Sequence, residues 1–210
     1  MSVKMPFQNS EIEFIERKSR FIGNVFTVYS EREAREMIEM VGEMHNGASH
    51  VVYAYDISSE NATRFSDAGE PKGTAGMPVY EIFRREGLTC YCCTVTRYFG
   101  GILLGAGGLI RAYANTAKLA LEAAGIAQLM PYEAVRISCE YPHYDIIRNY
   151  LKSYEHTVEN TEFLQNISMD ILIPGAILQE LTAGIINLTA GRAVVQHLET
   201  RMRPQRIVRE

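Results

Sequence analysis

Apolar and polar positions along the chain up to Gly125 follow patterns that predict four strands and three helices. Ser30 and Glu33 form a capping box, and the apolar residues after it repeat at helical spacing to about residue 44. Pro78 and Gly87 bound a second helix, because proline is favoured in the first helical turn and glycine just after the last. The predicted strands are 12–15, 21–28, 50–56 and 90–96, and the predicted helices are 30–44, 78–87 and 108–124.

The pattern changes after Gly125. Residues 126–131 are predicted to be a short linker. The remainder predicts strands over 135–140, 157–163, 167–173 and 193–199 and helices over 142–154 and 177–188. This is the βαββαβ order of a ferredoxin-like domain. The sequence therefore predicts an α+β protein of two domains, residues 1–127 and 132–204. Its basic tail favours a solvated terminus over a binding arm. The arginines of this tail are Arg201, Arg203, Arg206 and Arg209.

Two glycine-rich stretches interrupt the periodic pattern of the first domain. The first covers residues 65–78 and ends at the start of a predicted helix. The second follows the apolar strand 90–96 and carries five glycines between Gly100 and Gly108. Loops with so few side chains let backbone N–H groups come close to a ligand or to another part of the backbone. Both readings, a ligand surface and a tight packing joint, are open at this point.

The second stretch is locally positive. No acidic residue occurs between Gly87 and Leu121, whereas Arg97, Arg111 and Lys118 do. Positive side chains beside a glycine-rich helix start are typical of phosphate-binding surfaces. The spacing matches neither the dinucleotide fingerprint nor a P-loop. Arg97 has a structural alternative, because an arginine that ends a central strand can instead pair with Asp67 or Glu70.

Three segments carry a resemblance to a known family. They are Ser19-Arg20-Phe21-Ile22, the block Phe65-Ser66-Asp67-Ala68-Gly69-Glu70-Pro71-Lys72-Gly73-Thr74-Ala75-Gly76-Met77-Pro78, and the block Arg97-Tyr98-Phe99-Gly100-Gly101-Ile102-Leu103-Leu104-Gly105. Together they resemble the IMPACT family, also called the YigZ family, over about residues 10–125. The resemblance implies a first domain similar to domain IV of elongation factor G, with helices on one face of a sheet. It also implies a second domain similar to domain V of that factor, and a role in the regulation of translation.

Overall composition narrows the class of protein. The formal charge is −4 and the isoelectric point is near 5.8, and the 21 basic and 25 acidic residues are spread evenly over both predicted domains. The composition therefore excludes a nucleic-acid-binding protein that is basic over its whole surface, and any nucleic-acid binding is confined to one face. Cys90, Cys92, Cys93 and Cys139 show no metal or redox spacing and are predicted to be buried thiols. No segment has the length and apolar character of a signal peptide or a membrane span, so we expect a cytoplasmic protein with no membrane partner.

These observations favour a translation-associated protein that binds RNA or the ribosome through a glycine-rich, arginine-bearing cleft. Tyr98 and Phe99 are suited to stacking on bases. We expect both glycine-rich stretches to form one cleft, with no DNA, cofactor or metal bound and no catalytic residue assigned. The expected contact residues are Arg20, His50, Lys72, Gly73, Thr74, Arg97, Tyr98, Gly100, Gly101 and Arg111.

Two other functions remain open from sequence. In the first, the protein is a hydrolase-type enzyme for a small phosphorylated or peptidic substrate, with Asp67, Glu70 and His50 as acid and base and Thr74 as a hydroxyl. No residue pattern shows a nucleophile beside a base, so catalysis stays undecided. In the second, the protein is an interaction module without RNA, and Tyr98 and Phe99 anchor a protein partner.

Overall fold

The computed structural model describes residues 3–207, which fold as two compact units. One unit contains residues 3–128 together with residues 204–207, and the other contains Leu129–Arg203. The structure thus has the α+β composition and the two-domain organisation that the sequence predicts.

A five-stranded antiparallel sheet forms the framework of the first unit. Its strands are β2 (Ser10–Glu16), β3 (Ser19–Thr27), β4 (His50–Ile57), β5 (Ala62–Ser66) and β6 (Tyr91–Tyr98), in the order β2-β3-β6-β4-β5. The predicted apolar strand β6 is central, and every residue from Tyr91 to Arg97 is buried. The second glycine-rich stretch follows the carboxyl end of β6 and therefore begins at the central strand, at one end of the sheet.

The helices of this unit divide between the two faces of the sheet. They are α1 (Glu31–Met44), α2 (Gly76–Arg85) and α3 (Ala106–Ala124). Opposed positions Val25, Cys93 and Ala54 share a core with α2 and α3, whereas their neighbours Phe26, Cys92 and Tyr55 share a second core with α1. The expectation that the helices lie on one face holds for α2 and α3. It is corrected for α1, because the strands alternate buried residues on both sides.

Local sequence explains how α1 and α3 form. At the start of α1 the Ser30 hydroxyl accepts from the N–H of Glu33 at 3.2 Å, which is the predicted cap. The Glu33 carboxylate accepts from the N–H of Tyr29 at 2.8 Å, one residue before the N-cap position that a full capping box uses. In α3 the buried stripe is rich in alanine, which lets the helix lie close to β3. A Cβ on Gly23 would stand only 2.8 Å from the Thr116 methyl group.

The second unit has the predicted βαββαβ order. Its elements are β7 (Ile126–Cys139), α4 (Tyr141–Leu151), β8 (Thr157–Phe163), β9 (Ile167–Pro174), α5 (Leu178–Leu188) and β10 (Val194–Arg206). The strands lie in the order β10-β7-β9-β8, which is the ferredoxin-like arrangement. The core is built from the apolar stripes that the periodicity identified, including Ile147, Leu151, Leu181 and Ile185.

Several boundaries differ from the prediction because their pairing partners are distant in sequence. The predicted linker 126–131 is the beginning of β7, and its first residues pair with an unpredicted strand β1 (Lys4–Pro6). The unpredicted strand β5 covers the edge of β4. The predicted tail is the end of β10, in which Arg201 and Arg203 lie near the Glu159 carboxylate, while Arg209 lies outside the described residues.

Two other expectations concern burial and membranes. All four cysteines are buried and unbridged, as predicted. Burial raises the pKa of the Cys92 thiol to about 12, which keeps it protonated and unreactive near neutral pH. Among residues 3–207, no helix combines the length and apolar character needed to cross a membrane.

Candidate functional site

The glycine loop after β6 is fastened to the turn between β2 and β3. A Cβ on Gly100 would overlap the backbone of Lys18 and Ser19, so only glycine allows this approach. The Gly100 N–H donates to the Ser19 hydroxyl at 3.2 Å. The Phe99 N–H donates to the Ser49 hydroxyl at 3.2 Å. Of the two interpretations of the glycine-rich stretches, a ligand surface and a tight packing joint, Gly100 therefore fits the packing joint.

The β2–β3 turn has an unusual sequence for its geometry. Glu16 pairs with Ser19, so the turn contains two residues, Arg17 and Lys18, with φ angles of 46° and 65°. A two-residue hairpin with both angles positive favours Asn-Gly, because side chains are strained in the left-handed region. The chain instead keeps two long cations at this turn, and strained residues of this kind cluster at functional sites.

In the first glycine-rich stretch, the carboxylate of Asp67 binds backbone N–H groups of the same stretch. Asp67 accepts hydrogen bonds from the backbone N–H groups of Gly73 at 2.8 Å, Gly76 at 2.9 Å and Ala75 at 3.0 Å. Burial by itself raises the pKa of Asp67, but the three N–H donors outweigh burial and hold the pKa below its ordinary value. The start of α2 is thus already occupied by an internal anion.

Glu70 joins the two stretches through a buried network. Its carboxylate oxygen accepts from the guanidinium of Arg97 at 2.6 Å and from the hydroxyl of Tyr113 at 2.7 Å. His50 Nε2 lies 3.9 Å from the same oxygen, and His50 Nδ1 lies 2.8 Å from the carbonyl oxygen of Ala68. Burial and the bond to Glu70 raise the pKa of Tyr113, so its hydroxyl remains a donor. The two stretches therefore lie against each other, held by an ion pair that faces inward.

The start of α3 is open, in contrast to that of α2. The first backbone bond of the helix runs from the Leu109 N–H to the Gly105 carbonyl oxygen, and the N-cap residue Gly105 supplies no side-chain cap. Within residues 3–207 the N–H groups of residues 106–108 make no hydrogen bond to a protein acceptor. The helix therefore presents its partial positive charge to solvent. A Cβ on Gly107 would lie 3.8 Å from Arg111 Nη1, so the Arg111 guanidinium lies beside this first turn.

A cavity of about 510 Å³ lies between the β2–β3 turn and α3. Arg17, Arg111 and Lys118 supply positive charge to its walls, and Glu16 supplies one carboxylate. In the part of the chain that the structure describes, neither Arg17 nor Arg111 has an ion-pair partner, whereas Lys118 Nζ lies 3.6 Å from Glu122. The other lining residues are Phe14, Ile82, Leu104, Gly108, Ala112, Ala114 and Asn115.

The structure distributes the ten expected contact residues over several places. Arg97 and Thr74 are buried, and the Thr74 hydroxyl donates to the Pro71 carbonyl oxygen at 2.6 Å. Gly73 and Gly101 are exposed with positive φ, and Lys72 is exposed. Of the ten, Arg111 lines the 510 Å³ cavity.

Arg20 and Tyr98 are opposed to each other on the face of the sheet that carries α1. Arg20 pairs with Glu13 at 2.6 Å and lies over the Tyr98 ring at 5.4 Å, and the Tyr98 hydroxyl lies 3.0 Å from His45 Nδ1. His50 and Arg97 face the other side. The expectation of one cleft is therefore corrected for Arg20 and Tyr98, because alternation along β3 and β6 sends them to the face opposite His50 and Arg97.

The expected contact residues do not include Phe14, Arg17, Asn115 or Lys118, which line the cavity. The available signal was the Arg17-Lys18 pair itself, which occupies a two-residue turn where Asn-Gly is favoured. Nothing in the local sequence places Phe14 of β2 against Asn115 of α3. Among residues 3–207, no three His, Cys, Asp or Glu side chains converge on a metal site.

Comparisons with known proteins place these features in a family context. The sequence model of the Impact N-terminal domain matches residues 17–121, which contain the turn, both glycine-rich stretches and α3 up to Leu121. A domain of unknown function (DUF1949) matches residues 137–192. The first match covers half of the chain, and the second lies within the ferredoxin-like unit.

Relatives of similar length match most of the chain. The chain is 32% identical over 190 residues to the IMPACT family member YvyE of Bacillus subtilis (strain 168), covering 90% of this chain and 88% of that protein. It is 29% identical over 178 residues to the IMPACT family member YigZ of Escherichia coli (strain K12), covering 83% and 87%. A crystal structure described as an hypothetical protein matches with a TM-score of 0.57 and 27% identity, covering 94% and 98%.

Proposed function

The chain belongs to the IMPACT family, and from that premise we propose that it binds RNA, ribosomal or transfer RNA, as part of translational regulation. The single observation that supports this proposal is the placement of Arg17 and Arg111 on one cavity at the uncapped start of α3. Guanidinium groups and free backbone N–H groups are both donors suited to phosphate oxygens.

The charge of the protein limits how it binds. With a net charge of −4, the molecule as a whole repels a polyanion, so contacts must be made by one local surface. The arginines dominate that surface, because a helix start contributes only about 0.3–1 kcal/mol towards an anion. Few phosphate contacts give modest affinity that falls as salt rises.

The test is the salt dependence of RNA binding by single variants. Arg17→Ala and Arg111→Ala should each weaken binding to unrelated RNA sequences and lower the slope of log K against log salt by roughly one unit. Arg32→Ala is the matched control, since Arg32 is an exposed arginine on α1, a helix that packs on the opposite face of the sheet. Unchanged slopes in both cavity variants would remove the proposal, as would an equal change in the control.

The hydrolase alternative receives less support from the same residues. Asp67 holds three backbone N–H groups, Glu70 holds Arg97 and Tyr113, and the Thr74 hydroxyl is bonded to a carbonyl oxygen. Each of these groups already has a structural partner. A nucleophile with a base at hydrogen-bond distance, which such an enzyme needs, is not formed by this set.

A specific observation favours a protein partner as the second candidate. The loop after β6 exposes three large apolar side chains, Phe99 at 48%, Ile102 at 41% and Leu103 at 80%. Such exposure is typical of interaction surfaces. The variant Leu103→Ser separates the two functions, because an RNA-binding role predicts little change in RNA affinity. A loss of ribosome association with unchanged affinity for free RNA would favour the protein partner.

A further inference from the structure

We infer that the cavity between the β2–β3 turn and α3 takes one unstacked nucleotide, with its phosphate between Arg17 and Arg111 and its base on the apolar floor. This inference deepens the proposed function and rests on it for the source of the nucleotide. It specifies which part of an RNA is recognised, namely an unpaired nucleotide rather than a stretch of duplex.

The size and lining of the cavity carry the first step. Its volume of about 510 Å³ falls within the range of roughly 300–1,000 Å³ that is usual for small-ligand sites. Its lining includes three large apolar residues, Phe14, Ile82 and Leu104, which we call the apolar floor, together with the buried Ala112. A phosphate alone gains nothing from an apolar floor, whereas a base offers two flat apolar faces.

The placement of charge carries the second step. Arg17 and Arg111 are free of ion pairs within the described residues, and the open N–H groups of residues 106–108 lie beside the Arg111 guanidinium. Glu16 also lines the cavity, and its carboxylate repels a phosphate. The phosphate therefore lies between Arg17 and Arg111, beside the helix start.

The side-chain amide of Asn115 is suited to recognise the base. It lines the same cavity and offers both a donor and an acceptor to the edge of a base. A neighbouring cavity of about 500 Å³ shares Ile82 and Lys118 with the first, and its other charged lining residues are Glu86, Glu122 and Arg206. The charges of the second cavity balance, whereas the first has three cations and one carboxylate, so we assign a single nucleotide to the first.

Together these features define a site for an unstacked base, in which guanidinium planes and an aromatic ring provide stacking surfaces and an amide reads the base edge. Proteins recognise unpaired RNA in this way, because bases in a duplex are inaccessible to such pockets. The shared ligand chemistry is a nucleoside phosphate, which can come from unpaired RNA or from a free nucleotide.

The test uses the full chain and a variant that fills the cavity. Ala114 lines the cavity from α3, and Ala114→Phe should fill it. Ala123→Phe is the matched control, since Ala123 is an exposed residue of the same helix that lines neither this cavity nor the neighbouring one. Circular dichroism and thermal melting verify that both variants are folded. Titration calorimetry then measures binding of AMP, inorganic phosphate, a single-stranded oligoribonucleotide and a blunt RNA duplex.

We expect the wild-type chain to bind AMP at least about tenfold more tightly than inorganic phosphate, because the base contributes stacking. Ala114→Phe should weaken AMP and single-stranded RNA at least about tenfold, whereas Ala123→Phe should leave both unchanged. Glu16→Gln should tighten AMP binding, since it removes the repelling carboxylate. Single-stranded RNA should be preferred to duplex.

The outcomes separate the inference from the proposed function. If RNA binds but AMP binds no better than phosphate, or if Ala114→Phe binds single strand and duplex as the wild type does, the inference is overturned and RNA binding stands. If AMP binds and no RNA does at low salt, RNA binding is overturned and the cavity is assigned to free nucleotides. If neither binds, both are overturned.

Discussion

The buried guanidinium of Arg97 donates a 2.6 Å hydrogen bond to the carboxylate of Glu70, which also accepts from the Tyr113 hydroxyl. Arg97 is only 5% exposed and Glu70 only 8%. The arginine that ends the central strand is therefore held inside the domain by the opposite glycine-rich stretch. The structural pairing that the sequence left open is the one that the fold adopts.

This relationship predicts that Arg97→Ala destabilises the protein by about 3–5 kcal/mol, because it leaves a buried carboxylate unpaired. The free energy of unfolding from urea denaturation measures the effect. Arg111→Ala, an exposed position, should change it by no more than about 0.5 kcal/mol. The salt slope of RNA binding by any folded Arg97→Ala protein should equal that of the wild type. A lower slope with unchanged stability would instead identify Arg97 as a phosphate contact.

Asp67 predicts a defined pH dependence of stability. Its pKa is lowered in the folded state, so the carboxylate stabilises the fold at pH values above the unfolded pKa of about 3.9. This contribution is lost as the pH falls through the folded pKa. Asp67→Asn should therefore be less stable than wild type at pH 7, and the difference should shrink in acid. Denaturation midpoints between pH 7 and pH 2 measure it, and a difference that is constant over this range would contradict the role assigned to the charge.

For the strained β2–β3 turn we expect substitutions that raise the stability of the protein to weaken RNA binding. The double variant Arg17→Asn with Lys18→Gly installs the preferred turn sequence and should stabilise the protein by about 1–3 kcal/mol, because it relieves two left-handed side-chain residues. The same variant should bind RNA more weakly. The control is Arg17→Ala with Lys18→Ala, which removes both charges and keeps the strain. If the Arg17→Asn, Lys18→Gly variant bound RNA as tightly as the wild type, Arg17 and Lys18 would not contribute to RNA binding.

Gly100 and Gly101 are adjacent, but we expect their substitution by alanine to lower the stability of the protein by different amounts. Gly100→Ala brings a methyl group onto the backbone of Lys18 and Ser19, so the loop must separate from the turn. Gly101→Ala meets no atom within 4 Å and costs only the strain of its φ of +82°, about 1–2 kcal/mol. Thermal melting should show the larger loss for Gly100→Ala. RNA binding should also fall in that variant more than in Gly101→Ala, because the turn and the loop no longer hold their relative position.

The sequence by itself determined the elements and the order of the two domains. Helical and strand periodicity located α1 through the capping box and α3 through its alanine-rich stripe, and it identified the ferredoxin-like βαββαβ order. These features depend on residues close together in the chain, so local pattern is enough to predict them. The contact between the two glycine-rich stretches was also expected, since both lie at strand ends or helix starts.

Only the tertiary structure decided which charged groups are free. Asp67 closes the start of α2 and Glu70 neutralises Arg97, whereas α3 begins uncapped beside Arg111. The cavity is built by Arg17 of a hairpin turn and Asn115 of a distant helix, which no spacing rule connects. Strand alternation sends Arg20 and Tyr98 to the opposite face. The physical reason is the same in each case: hydrogen-bond and ion-pair partners are chosen by packing in three dimensions, and sequence proximity does not record that choice.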